Sequence, residues 1–361
     1  MEEAPTLRVR LEKRSAGGHR VTLEVPHRDP GRRWSASWPA RLFGVPDEGT
    51  AAGELPEDGF TVPGEVLRAV GEALEAGGSD GNPRLWLDVR QPRGHLHLLP
   101  WERLLSVSLA RTVLRTPYLT PRPPVPGDRP RVVLCAGGPL FAPDLADLAE
   151  QWHDGTGHRA SVHVFTGREC AGRVRGLAAA RPGIVVHDPP VALAPRPGDP
   201  WLNWIGAALA GRPADVIHFV GAGRLTGDRG ELVFPGSPAG DGVTRTVDGA
   251  RLARFAIDVG AWFLALTSPP SAGSPTGLVG LADTVARTRP ATVLVHDLGL
   301  DRTGEFPGIL KMIFQGDAPG GPAPAVTCWA RPEGHSAKKA EMEEMGAGHS
   351  APVHSTARRG T

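Results

Sequence analysis

The sequence predicts an α/β fold: a mainly parallel sheet with helices on both faces, preceded by a small strand-rich N-terminal domain. Three observations carry this prediction. The first 45 residues alternate apolar and other side chains, as in Leu7-Arg8-Val9-Arg10-Leu11 and Val21-Thr22-Leu23-Glu24-Val25, the period-2 pattern of half-buried antiparallel strands. From residue 131 onward, short and wholly apolar runs alternate with stretches of helical period, the pattern of a parallel sheet covered on both faces. Between these regions, residues 117–130 hold six prolines and read as a semi-extended link. The resulting division is a strand-rich domain over 1–80, an α/β domain over 81–316 that contains the link, and a tail over 317–361.

Residues 63–76 read as a helix, with Pro63 near the first turn, Val66, Leu67, Val70 and Leu74 on one stripe, and Gly77-Gly78 as the stop. Arg84-Leu85-Trp86-Leu87-Asp88-Val89 follows as a strand. Beyond the link, strands are expected at 131–135, 161–165, 216–220, 262–267 and 292–296. Helices are expected at 144–152, 168–180, 202–210, 248–255, 278–287 and 306–314. After Gly316 the periodicity ends, and 333–361 is rich in Gly, Ala, Ser, His, Lys and Glu, the composition of a disordered tail. The same aperiodic stretch would also fit a gene decaying or frameshifted near its end.

Composition narrows the function classes. Gly and Pro together make 84 of 361 residues, which indicates a folded chain with long loops. Forty basic against 39 acidic residues leave a formal charge of +1, without the basic excess of a dedicated nucleic-acid binder. Only Lys13, Lys311, Lys338 and Lys339 are lysines; the arginine bias fits a GC-rich genome rather than phosphate recognition. Cys135, Cys170 and Cys328 match no zinc or redox spacing, so a reducing compartment is expected. The acidic start Met1-Glu2-Glu3 lacks the features of a signal peptide, and no apolar run approaches membrane-spanning length. The expectation is a cytoplasmic chain without cofactor, metal, membrane or nucleic-acid partner.

Each candidate motif has a plainer structural reading. Val220-Gly221-Ala222-Gly223 follows a strand, but Leu225 to Phe234 reads as strand, turn and strand, so the helix N-terminus that a phosphate loop needs is missing. Cys135-Ala136-Gly137-Gly138-Pro139 reads as a turn. His95 and His97 would share one face of a strand, yet no third metal ligand is near. His187-Asp188 and His296-Asp297 are neighbours whose side chains diverge on an extended chain, which disfavours a relay within either pair. Cys135 and Cys170 have no local activating partner.

Three segments in order resemble the CHAT domains, bacterial caspase-like relatives of the separase and caspase peptidases. They are Leu98-Leu99-Pro100-Trp101-Glu102-Arg103-Leu104-Leu105, then Ala214-Asp215-Val216-Ile217-His218-Phe219-Val220-Gly221-Ala222-Gly223, then Leu264-Ala265-Leu266-Thr267-Ser268-Pro269. The resemblance covers most of residues 80–315 and implies a caspase-like sheet. In active members it implies a Gly-His-Gly histidine paired with a cysteine at the end of the next strand, because an adjacent imidazole lowers the thiol pKa and later protonates the leaving amine. Here those positions are Ala222 and Pro269, and neither side chain can transfer a proton or attack a carbonyl. His218 shares the face of Ala222 but lies roughly 13 Å back along the strand, where a structural role is expected. Ser268 and Ser271 flank the lost cysteine and are the candidate nucleophiles of an alternative hydrolase reading. The resemblance therefore implies an inactive, peptidase-like subunit that binds a protein or peptide partner, in a bacterial defence or signalling setting.

Overall fold

The structure is a computed structural model; it describes residues 4–13, 18–26, 33–45, 61–78, 82–90, 95–117, 129–137, 142–178, 181, 183–191, 198–227, 229–239, 243–272, 275–289, 291–318 and 320–330. Along the chain the strands are β1 (Thr6–Lys13), β2 (His19–Pro26), β3 (Arg33–Pro39), β4 (Arg84–Val89), β5 (Thr112–Arg115), β6 (Arg131–Ala136), β7 (Ser161–Thr166), β8 (Ile184–His187), β9 (Val216–Val220), β10 (Ala222–Thr226), β11 (Arg229–Pro235), β12 (Thr244–Asp248), β13 (Phe263–Ser268), β14 (Thr292–Asp297) and β15 (Val326–Trp329). The helices are α1 (Gly64–Ala76), α2 (Trp101–Leu109), α3 (Ala142–Gly155), α4 (Arg168–Ala178), α5 (Pro200–Leu209), α6 (Gly249–Asp258), α7 (Thr276–Thr288) and α8 (Glu305–Phe314).

Twelve strands form one mostly parallel sheet in the order β3-β2-β1-β4-β5-β15-β14-β13-β9-β6-β7-β8. The expected α/β class is what the structure has. Its central strands are apolar throughout because both faces are covered. Leu264, Leu266, Val293 and Val295 point to the side packed by α5, α6 and α7, while Phe263, Ala265 and Leu294 point to the side packed by α3, α4 and α8. Helix starts follow ordinary capping chemistry: the Asp199 carboxylate accepts from the amides of Trp201 and Leu202 at the head of α5, and Asp248 accepts from Arg251 at the head of α6.

Three expectations need correction. A tail is expected from 317, but Val326–Trp329 is a strand that pairs antiparallel with β14, so the sheet extends past that boundary; residues 331–361 lie outside those described. The N-terminal strands are not set apart at residue 80. β1 pairs parallel with β4, and one apolar cluster joins Leu7, Leu23 and Val66 to Leu85, Leu87 and Trp101. His95 and His97 are not on a strand: His97 sits in a 3₁₀ turn, Leu96–Leu98, so period-2 facing does not apply. Most of the proline-rich segment, 118–128, lies outside the described residues.

The Pro100-Trp101-Glu102 motif acts as a staple. Trp101 Nε1 donates to the Leu96 carbonyl at 2.8 Å, and Glu102 forms a buried pair with Arg115, Oε1 accepting from Nε at 2.6 Å and Oε2 from Nη2 at 2.9 Å. Arg115 also donates to the carbonyls of His97 and Leu99 and lies 4.9 Å from the Trp329 ring centroid, while Thr327 donates to Glu102 at 3.1 Å. The motif thus ties α2 to β5 and β15, and every charge it buries has partners.

A second sheet, β10-β11-β12, lies against α7 with backbone on backbone. The turn at Gly227 has φ of +69°, as a tight hairpin requires. A Cβ added to Gly277 would stand 2.6 Å from both Arg224 N and Gly223 C, and one added to Gly249 would stand 2.6 Å from Thr284 Cγ2. In the Gly221-Ala222-Gly223 segment, Gly223 therefore serves the close approach of α7, where an added Cβ would stand 2.5 Å from Leu278 N, while one on Gly221 would stand 3.1 Å from Val233 O of β11.

Candidate functional site

β9 and β13 are parallel neighbours, with Val220 opposite Thr267, and the Gly221 amide donates to the Thr267 carbonyl at 3.0 Å. Ala222 and Pro269 are each the second residue beyond this last pair, so both positions named by the resemblance lie at the carboxyl end of adjacent strands. This is the crevice end at which open parallel sheets place ligands. Ala222 is half-buried and Pro269 buried.

The other candidates are separated by strand alternation. His218 and Thr267 face α3 and α8. Trp152 Nε1, a donor only, bonds His218 Nδ1 at 2.7 Å, so the proton of this neutral ring sits on Nε2 and is given to Thr267 Oγ1 at 2.7 Å. The Thr267 hydroxyl then donates to His296 Nδ1 at 3.2 Å, and His296 Nε2 to Asp301 Oδ2 at 3.0 Å. Asp301 also accepts from the amides of Gly304, Glu305 and Phe306 at the head of α8. Burial, then the neighbouring His296, holds the His218 imidazole well below its ordinary pKa. Burial would raise the Asp301 carboxyl, but the His296 hydrogen bond and the helix amides together hold it well below the carboxylate range.

Thr267, His296 and Asp301 have the order of a hydroxyl–imidazole–carboxylate triad, which the sequence reading missed. Thr267 has no exposed surface, so no carbonyl can reach its oxygen, and the chain of bonds is a structural tie between β9, β13, β14, α3 and α8. A legible signal existed: on the strands flanking Thr267, His296 stands opposite it and His218 two residues further back on the same face, and Asp301 precedes a helix start.

Ser268 lies on the opposite face of β13 and is fully buried, its Oγ without a hydrogen-bond partner among the described residues. Ser271 is exposed in the 3₁₀ turn Pro270–Ala272. The alternation that brings Thr267 to the histidines takes Ser268 away from them. Cys135 is buried opposite Phe219, and burial, then Asp199, pushes its thiol well up; burial and Glu102 push Cys328 up to about 12. Both remain thiols at neutral pH.

His187 sits on the edge strand β8, three strands from β9 and so roughly 14 Å away. It bonds His163 at 3.0 Å rather than Asp188, which pairs with Arg175. Burial, then His187 and Arg131, lowers His163 to about 4. Among the described residues no group of three or more His, Cys, Asp or Glu side chains comes together as metal ligands, and no helix is long and apolar enough to cross a membrane.

Comparison with protein-family models, with curated proteins and with solved structures returns no significant match.

Proposed function

We propose that the chain is a catalytically inactive, CHAT-like pseudopeptidase that binds a protein or peptide partner as a regulatory or scaffold subunit. The observation that carries this is the register of β9 and β13. It puts positions 222 and 269 each two residues past the last pair of these neighbouring strands, at their carboxyl ends, where the resemblance puts a histidine and a cysteine and this chain has a methyl group and a pyrrolidine ring. The two sheet histidines that could act as bases spend their nitrogens on Trp152, Thr267 and Asp301. Peptide binding does not need the lost pair, because an extended segment held by main-chain hydrogen bonds and side-chain pockets keeps its contacts without a nucleophile.

The test restores the pair. In Ala222→His/Pro269→Cys the new thiol should react with iodoacetamide at neutral pH at least about tenfold faster than in Pro269→Cys alone, since a paired imidazole lowers the thiol pKa by a unit or more. Equal reactivity of the two variants would show that the positions are not partners. The parent should cleave nothing in a broad peptide library while binding a protein encoded beside its gene. Turnover abolished by Ser268→Ala or Ser271→Ala would overturn the inactive reading.

A further inference from the structure

On the face of the sheet packed by α5, polar groups gather toward the amino ends of β6 and β7. Arg131 stands opposite Ser161 in register, and the alternation that buries Val133 and Phe165 on this face puts Arg131, Ser161 and His163 there too. Ser161 Oγ lies 3.2 Å from His163 Nε2, and His163 Nδ1 lies 3.0 Å from His187 Nε2 on β8. The His187 ring is stacked on Phe165, ring centroids 4.3 Å apart. Arg131 Nη1 donates to the Pro213 carbonyl at 2.7 Å, which brings its guanidinium to the turn that carries Arg212. The charge of this corner is one-sided. Burial first, then His187, Arg131 and Arg212, lowers His163, and burial, then Arg212, lowers His187. The carboxylates nearby are committed: Asp215 accepts from the Arg131 amide at 2.7 Å, and Asp188, which raises His187, pairs with Arg175. α5 itself carries no titratable side chain. Neither guanidinium forms an ion pair among the described residues; Arg212 Nε is held only by the Leu209 carbonyl, at 3.3 Å.

We propose that this corner binds a phosphate group. Two guanidiniums without carboxylates, beside a hydroxyl, complement a dianion that offers several acceptor oxygens. A single carboxylate would leave one guanidinium uncompensated. A metal ion shared between the facing nitrogens of His163 and His187 would be repelled by both arginines. The hydrogen-bond chain can be polarised toward an anion: His187 Nε2–H donates to His163 Nδ1, His163 Nε2–H donates to Ser161 Oγ, and the Ser161 hydroxyl is left to donate outward, next to Arg131. In that arrangement His187 Nδ1 takes up a proton without breaking any of these bonds, so proton and anion stabilise each other. The corner lies at the amino ends of strands parallel to β9, the end of the sheet away from Ala222 and Pro269, so the assignment does not depend on the pseudopeptidase reading.

The experiment titrates the full chain with inorganic phosphate, acetate and a capped Ala-phosphoserine-Ala peptide, followed by NMR. Phosphate should bind at least about tenfold tighter than acetate, the scale of one further charged hydrogen bond. Arg131→Gln and Arg212→Gln should each weaken phosphate by a similar factor. Arg254→Gln removes the same charge from an exposed position on α6 and should leave binding unchanged. Arg212 is exposed, so its variant keeps the test valid if Arg131→Gln destabilises the sheet. Tighter binding of the peptide than of phosphate supports the site with a phosphorylated partner as its source, and equal or weaker binding supports it with free phosphate. Sulfate, a dianion at every pH used, should raise the pH at which the His163–His187 pair takes up its proton, read from the ring resonances; a pair with only a structural role would not respond. Equal binding of acetate and phosphate, equal loss in Arg254→Gln and Arg212→Gln, an unmoved histidine titration, or no phosphate binding at millimolar concentration would each overturn the assignment.

Discussion

Gly277→Ala sets two effects of opposite sign against each other. The residue is in the first turn of α7, so replacing glycine there favours the helix by up to about 1 kcal/mol. Against this, the new Cβ would stand 2.6 Å from Gly223 C and Arg224 N and 2.8 Å from Arg224 C, all backbone. Optimal carbon contact is about 3.5 Å, so α7 and β10 must part by roughly 0.9 Å, and a radial gap of that size forfeits about a quarter to a half of the contact energy along the seam. α7 presents Leu278, Leu281, Ala282 and Val285 to the core, so the loss spreads along the helix. Overpacking typically costs about 1–3 kcal/mol, and with no flexible side chain to yield, the upper end applies. The clash wins, and a net loss of about 2 kcal/mol is expected in urea unfolding followed by circular dichroism. Gly206→Ala in α5 is the control. Nothing lies within 4 Å of its added Cβ, so only the helix preference acts, and that variant should gain about 0.5–1 kcal/mol. If Gly277→Ala matches the parent or Gly206→Ala, the close approach of α7 to β10 is wrong, and with it the account of the glycines around Ala222.

Glu102→Ala should cost about 3–5 kcal/mol in the same assay, because it strands the buried Arg115 guanidinium, whereas Glu102→Ala/Arg115→Met should recover most of that loss; equal instability of the two would deny that the burden is the unpaired charge. His218 should stay neutral, its ring resonances showing no titration between about pH 5 and 8. Its folded pKa lies below its unfolded one, as does that of His163 at about 4, so the unfolded chain takes up protons first and stability is complete above about pH 6.5 and falls as pH drops below it. The raised carboxyls of Asp199, Asp297 and Glu305 act in the opposite sense, so the comparison is with His163→Asn, whose melting temperature should depend less on pH across that window. An identical pH profile in parent and variant would refute the assignment.

The sheet core was legible because β6, β7, β9, β13 and β14 are buried on both faces, which leaves runs such as Phe263-Leu264-Ala265-Leu266 with no polar interruption. β15 was not legible. Its four residues follow a glycine- and proline-rich stretch, and only the long-range pairing of Val326 with His296 makes them a strand. The same limit hid the continuity of β1 with β4, since period-2 alternation identifies strands but not their neighbours. His95-Leu96-His97-Leu98 alternates like a strand, yet the carbonyls of His97 and Leu99 are claimed by Arg115, and the chain turns there. At the candidate site, Ala222 and Pro269 stand where the resemblance implies a histidine and a cysteine, and this could be read from residue types alone. The Thr267–His296–Asp301 chain needed the register of three strands and the turn after β14.

The segments around positions 222 and 269 separate what the fold needs from what chemistry needs. Gly223 cannot carry a Cβ, because Leu278 N would stand 2.5 Å from it. Thr267 links two buried histidines, and its loss would leave one ring nitrogen of each, His218 Nε2 and His296 Nδ1, without its partner. Each residue that a packing or hydrogen-bonding argument requires is in place. Ala222 is different: it is half-buried at the head of β10. The resemblance places an imidazole at this position, two residues past the last pair of β9 with β13. On the proposed reading, such a site holds an extended chain without activating it. That is why the restored pair in Ala222→His/Pro269→Cys tests the backbone geometry.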